Sequence, residues 1–135
     1  MKKKIVTALS CMALIAATAT LLSAAPQSDE VMTKENGMYV INTTTLGKNV
    51  TGYVSTTPLK IYVKKNKVVK IEALKNQETP KYFVKVKKEM LDKWNGKKVN
   101  EALQMQVDGV TGATFSSDAV KQNVMLGLEY YKKHK

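Results

Sequence analysis

The chain has 135 residues, 44% hydrophobic and 24% charged, enough for one small domain and too short for a multi-domain enzyme. All 22 of its basic residues are lysines, set against 11 acidic ones for a net charge of +11. Without arginine it lacks the bidentate fork that base and phosphate readers recruit, so the sequence argues against a nucleic-acid partner and for a solvated lysine surface.

Met1-Lys2-Lys3-Lys4 is a basic n-region, the apolar stretch from Ile5 to Leu22 an h-region, and Ser23-Ala24-Ala25 a small-residue cleavage site. Residues 1–24 therefore read as a signal peptide, and the expected location is exported, periplasmic or extracellular. Cleavage after Ala24 keeps Pro26 out of the first mature position. An uncleaved anchor is the competing reading, because the apolar run approaches the roughly 20 residues that span a bilayer. Cys11, the only cysteine, faintly resembles a lipoprotein processing site, but the apolar run mostly follows it instead of preceding it. With Cys11 removed, the mature chain has no thiol for redox chemistry or metal ligation. His134, the sole histidine, lies in a lysine-rich tail, which leaves no imidazole cluster and no Ser-His pair.

Residues 25–37 are polar and uneven and are expected to form a flexible leader, with the folded domain spanning 38–135. Met38-Tyr39-Val40-Ile41 and Val50-Thr51-Gly52-Tyr53-Val54 are β-prone and are separated by the turn-like Leu46-Gly47-Lys48-Asn49. Leu59, Ile61 and Val63 alternate with Lys60, Tyr62 and Lys64; after a turn at Lys65-Asn66-Lys67, Val69, Ile71 and Ala73 alternate with Lys70 and Glu72. Such a hairpin buries one face and gives the other to water, which accounts for many lysines without any ligand.

At Thr79-Pro80 the period changes to that of a helix, with Thr79 as N-cap, Pro80 at the first position, and Phe83, Val86, Met90 and Trp94 on one face up to Asn95-Gly96. Asn100 to Leu103 adds a helical turn, and Gln104-Met105-Gln106-Val107 alternates weakly as a short strand. From Ser116 or Ser117 to about Tyr131, the stripe Val120, Val124, Leu128 and Tyr131 predicts a second main helix, with the serines and Asp118 in its first turn. The predicted fold class is α+β: a single small domain with an antiparallel sheet and two main helices, after a signal peptide.

Between the weak strand and the last helix, Asp108-Gly109-Val110-Thr111-Gly112-Ala113-Thr114-Phe115-Ser116-Ser117 packs glycines and hydroxyls into a loop entering a helix. Free amides at a helix start favour an anion, and glycines let backbone approach it. A capped helix after a Gly turn is the plainer alternative. The segment is neither a Walker motif nor GxGxxG. Asp108 can form an Asx turn, Thr79 can be a simple cap, and Tyr53 and Tyr82 can either pack or stack on a ring.

Asp108-Gly109-Val110-Thr111-Gly112-Ala113-Thr114 followed by Ser116-Ser117 resembles the signature of the FMN-binding domain, found in exported flavoprotein subunits of sodium-pumping NADH:quinone oxidoreductase and the Rnf complex and in small secreted electron carriers. The run from Gly52 to Ala73 and Glu78-Thr79-Pro80 are also similar to that family, so the resemblance covers roughly Val50 to Tyr131. It implies FMN attached covalently by a phosphoester bond to Thr114, after Gly112 and Ala113. The partners implied are an FAD- and Mg-dependent flavin transferase and redox proteins at the membrane or cell exterior. Thr111 and Ser117 are candidate donors to phosphate oxygens, Asp108 a group that positions the turn or engages the transferase and its metal, and Glu78 and Thr79 neighbours of the flavin. Lys81-Tyr82-Phe83 replaces the Gly-Leu-Gly loop of the large subunits, which implies a more exposed ring.

An exported electron carrier is thus favoured over a stand-alone enzyme. A small flavin-dependent reductase of a soluble substrate and a non-redox secreted binding module stay open as alternatives, and the lysine surface leaves membrane association open.

Overall fold

In the computed structural model, residues 31–135 are described; the expected signal peptide, residues 1–24, and residues 25–30 of the expected leader lie outside the described residues. Alternation of apolar and polar side chains builds a four-stranded antiparallel sheet in the order β1 (Met32–Glu35), β2 (Met38–Asn42), β3 (Leu59–Lys64) and β4 (Lys67–Ala73). On β3, Leu59, Ile61 and Val63 are wholly buried, while Tyr62 turns outward under the Lys70 ammonium and donates to Glu72. Lys65 and Asn66 both take positive φ, as a two-residue hairpin turn of the right twist requires.

Three strand expectations change. Residues 32–35 are not leader: they pair with β2 from Met32↔Ile41 to Glu35↔Met38, joined by Asn36-Gly37, whose positive φ values make the same tight turn. Val50 to Val54 is not a strand; its only ladder contact among the described residues is an isolated bridge between Thr51 and Thr56, because the Tyr53 and Val54 amides are captured elsewhere. Opposite β3 the register passes from Tyr62↔Lys70 to Val63↔Val68, leaving Val69 as the extra residue of a bulge. Val68 is therefore buried and Val69 exposed, the reverse of the simple alternation.

Helix α1 (Pro80–Glu89) starts at Pro80 as predicted, with Thr79 in extended conformation before it, although the Thr79 side chain makes no capping bond. It stops short of Trp94: a 3-10 turn, Leu91–Trp94, carries Leu91 and Trp94 into the core, and Gly96 reverses the chain with φ +79°. Helix α2 (Val99–Gln104) is the expected short turn, but Met105 to Val107 continues without pairing and forms no strand.

Helix α3 (Thr114–His134) begins two residues earlier than the serines predict and lays Val120, Val124, Leu128 and Tyr131 against β2 and β3. Gly127 permits this approach, since a Cβ there would run into Ile61 Cδ1 and the Thr43 methyl. The result is one α+β domain: a four-stranded antiparallel sheet with three helices, α3 covering its buried face. Among the described residues, no helix is long and apolar enough to cross a membrane.

Candidate functional site

Where α3 begins, the chain leaves a helix end open. Gly112 takes φ +85°, Ala113 N–H returns to the Val110 carbonyl, and Thr114 is the first helical residue. No side chain caps this end, and its first backbone bond runs from Ser117 N–H to the Ala113 carbonyl. The N–H groups of Thr114, Phe115 and Ser116 thus have no partner among the described residues and carry the positive end of the helix dipole.

This end opens into a cleft of 370 Å³ lined by Gly112 to Ser116 on one side and by Tyr53, Thr79 and Tyr82 on the other. Tyr53 is 71% exposed, Phe115 65% and Tyr82 42%, values that mark a bared aromatic patch and not a core. Tyr53 and Phe115 lie with ring centroids 6.2 Å apart.

The Tyr53 wall is held by a buried carboxylate. Glu78 Oε1 accepts the Tyr53 N–H at 2.8 Å and the Ser116 hydroxyl at 2.5 Å, and Oε2 accepts the Val54 and Ser55 N–H groups at 2.6 and 2.8 Å. Three successive amides wrapped around one carboxylate form an anion nest, closed by Gly52 N–H donating to the Ser55 carbonyl. Burial pushes the Glu78 carboxyl up, but the bonds from Ser116, Ser55, Val54 and Tyr53 outweigh it and leave the group below its ordinary value.

The predicted site residues divide between the cleft and its supports. Gly112, Ala113, Thr114 and Thr79 line the cleft, with Thr114 exposed. Glu78 stands behind the wall, joining the Tyr53–Ser55 turn to the first turn of α3. Ser117 is wholly buried, and its Oγ accepts the Val110 N–H at 3.0 Å, so it holds the loop and does not face the cleft. Thr111 is exposed at the turn outside the cleft, and Asp108 with Gly109 and Val110 lines a separate hollow beside Lys88 and Lys93. Ser116 and Phe115 were missed as site residues. The exposed Phe115 between two hydrophilic residues was the available signal; the Ser116–Glu78 bond, 38 residues apart, gave none.

An open helix end for a phosphate, a neighbouring aromatic surface for a planar ring and an exposed hydroxyl between them define a class of site: one for an aromatic cofactor with an anionic tail. The residues present fit FMN on these counts. The model of the FMN-binding domain family matches residues 52–129, which carry Tyr53, Glu78, Thr79 and the whole of the Asp108–Ser117 segment. The chain belongs to the FMN-binding domain family and is a flavoprotein. Comparison with curated proteins and with solved structures finds no match.

Proposed function

We propose that the protein is an exported electron carrier whose FMN is joined by a phosphoester bond to Thr114, placed there by an FAD- and Mg-dependent flavin transferase. The observation that carries this reading is Thr114 itself: an exposed aliphatic hydroxyl at the first position of α3, inside the cleft and beside three unpartnered amides. In the attachment, Thr114 Oγ loses its proton and bonds to the flavin-side phosphorus of FAD as the pyrophosphate link breaks and AMP leaves. The amides of Thr114, Phe115 and Ser116 suit the charge that remains on the diester.

Bound FMN supplies one- and two-electron exchange with redox partners at the membrane or cell exterior. The chain's own part is to orient and shield. Tyr53, Phe115 and Tyr82 offer ring surface, and Glu78 fixes the Tyr53 turn against α3. A tether fits a domain this small, whose open cleft buries too little of a ligand to retain it outside the cell.

The test is co-expression of the full chain with a flavin transferase, then full denaturation and measurement of intact mass and flavin fluorescence, wild type beside Thr114→Val. The expected result is a wild-type mass gain of FMN less water, absent in the variant. An unmodified wild type, with a known transferase substrate labelled in parallel, overturns the attachment.

A further inference from the structure

The end of the domain opposite the cleft gathers lysines from three separate segments. The β3–β4 turn brings Lys64, Lys65 and Lys67, the strand-like link before α2 brings Lys98, and the last turn of α3 brings Lys132 and Lys135. The fold locks these segments together: Lys67 bridges Lys98, Val99 N–H donates to the Asn66 carbonyl, and Tyr131 Oη and Lys135 Nζ both donate to Asn66 Oδ1. The lysines line two hollows of 580 and 450 Å³ that share Lys65, and among the described residues Glu101 is the one acidic residue lining either. Ion pairs among the described residues join Lys70 to Glu72 and Lys121 to Asp118, so none of these six lysines is neutralised by one. Complementing the negative end of the α3 dipole explains Lys132, but not the lysines brought by the hairpin and the link.

We infer that this lysine-rich end docks the protein on a bilayer surface bearing anionic lipid headgroups. Three features favour a lipid surface over a nucleic acid or an acidic protein. The charges are all flexible lysines with no guanidinium fork, which suits mobile headgroups and not a fixed array of carboxylates or phosphates. Among the described residues neither hollow offers an exposed aromatic for stacking, since Tyr131, which lines one of them, is buried. The half-exposed Val69 sits among the lysines at the bulge, an apolar side chain presented at the surface. The inference does not depend on the flavin reading. Combined with it, the 21 residues of α3 separate Thr114 from the lysines of its last turn by about 30 Å, so the cleft lies at the other end of the helix from the docked face.

The test is flotation of the full chain with vesicles of equimolar phosphatidylglycerol and phosphatidylcholine against vesicles of phosphatidylcholine alone. Both sets also carry a variant with Lys65, Lys98, Lys132 and Lys135 changed to Gln, and a control with Lys48, Lys75, Lys81 and Lys85 changed to Gln. The apolar N-terminal segment is identical in all three proteins, so its background cancels. The first quartet should cut the anionic-over-neutral preference at least about a hundredfold, from about fivefold per lysine near an anionic surface. The control should lose far less, and raised salt should erase the preference. Equal loss in both quartets, no wild-type preference for the anionic vesicles, or capture by soluble polyglutamate at a salt level where the vesicles fail would each overturn the inference.

Discussion

Ser116 donates its hydroxyl proton to Glu78 Oε1 at 2.5 Å, tying the first turn of the long helix to the segment that leads into α1, two residues before Pro80. Because the same carboxylate accepts three amides of the Tyr53–Ser55 turn, one buried group sets the relative position of both walls of the cleft. Glu78→Gln puts an NH2 where an acceptor stood, leaving at least one buried amide facing a donor. The expected cost is about 1–3 kcal/mol, read by urea denaturation. Amide exchange at Tyr53, Val54 and Ser55 should accelerate more than at the β3–β4 core; uniform acceleration would show that the carboxylate does not hold this turn in particular.

Acid should act through the same group. Glu78 in the folded protein lies below its ordinary value of 4.5, so in acid the unfolded chain binds more protons than the folded one. Its contribution is complete above about 4.5 and is lost as pH falls through its own lower value. Glu72, also held down, chiefly by the Tyr62 hydroxyl, adds a background slope in the same direction. Unfolding free energy measured from pH 6 down to 3 should therefore fall more steeply in wild type than in Glu78→Gln. Parallel curves would mean that the carboxylate gains nothing from its nest.

The parts of the fold that a one-dimensional pattern can express were legible in the sequence. The Leu59–Val63 alternation and the Val120 to Tyr131 stripe each follow from one period, and the structure buries those residues. Strand β1 escaped because Met32–Glu35 is short and half exposed and owes its order to pairing with β2; the Asn36-Gly37 dipeptide was its only local signal. Val50–Val54 misled for the opposite reason: its β-prone residues are real, but a carboxylate about 24 residues away takes their amides. The Gly-Ala-Thr segment could be read as a loop entering a helix, whereas the division between cleft residues and supports could not. Ser117 as a candidate phosphate donor and Glu78 as a candidate flavin neighbour follow from the resemblance alone; that both also brace the site, Ser117 through Val110 N–H and Glu78 through the Tyr53 turn and Ser116, is visible only in three dimensions.

Bared rings give a direct measure of the cleft. Tyr53 and Phe115 are mostly exposed, so Tyr53→Ala and Phe115→Ala should change unfolding free energy by no more than about 0.5 kcal/mol. In a Thr114→Val background, where no tether can mask affinity, each should weaken binding of free FMN by about 0.5–1.5 kcal/mol if the ring stacks there. Fluorescence titration reads this as a loss of roughly 2–12-fold. Unchanged affinity in both variants would remove these two rings from the flavin's surroundings.

Gly52 offers the sharpest probe of the link between turn and helix. A Cβ at this position would overlap Glu78 Oε1 and come within 3.2 Å of Ser116 Cα, which is backbone and cannot swing aside. Gly52→Ala should therefore cost about 1–3 kcal/mol, a steric penalty for crowding a packed site. The methyl acts by displacing the carboxylate that Glu78→Gln has already weakened, so the two substitutions should fail to add. A double-mutant cycle should return a coupling of about 0.5–3 kcal/mol, as for residues in one hydrogen-bond network. Simple addition of the two losses would mean that Gly52 and Glu78 support the cleft separately, and that the turn is held by its own Gly52–Ser55 backbone bond and not by the carboxylate.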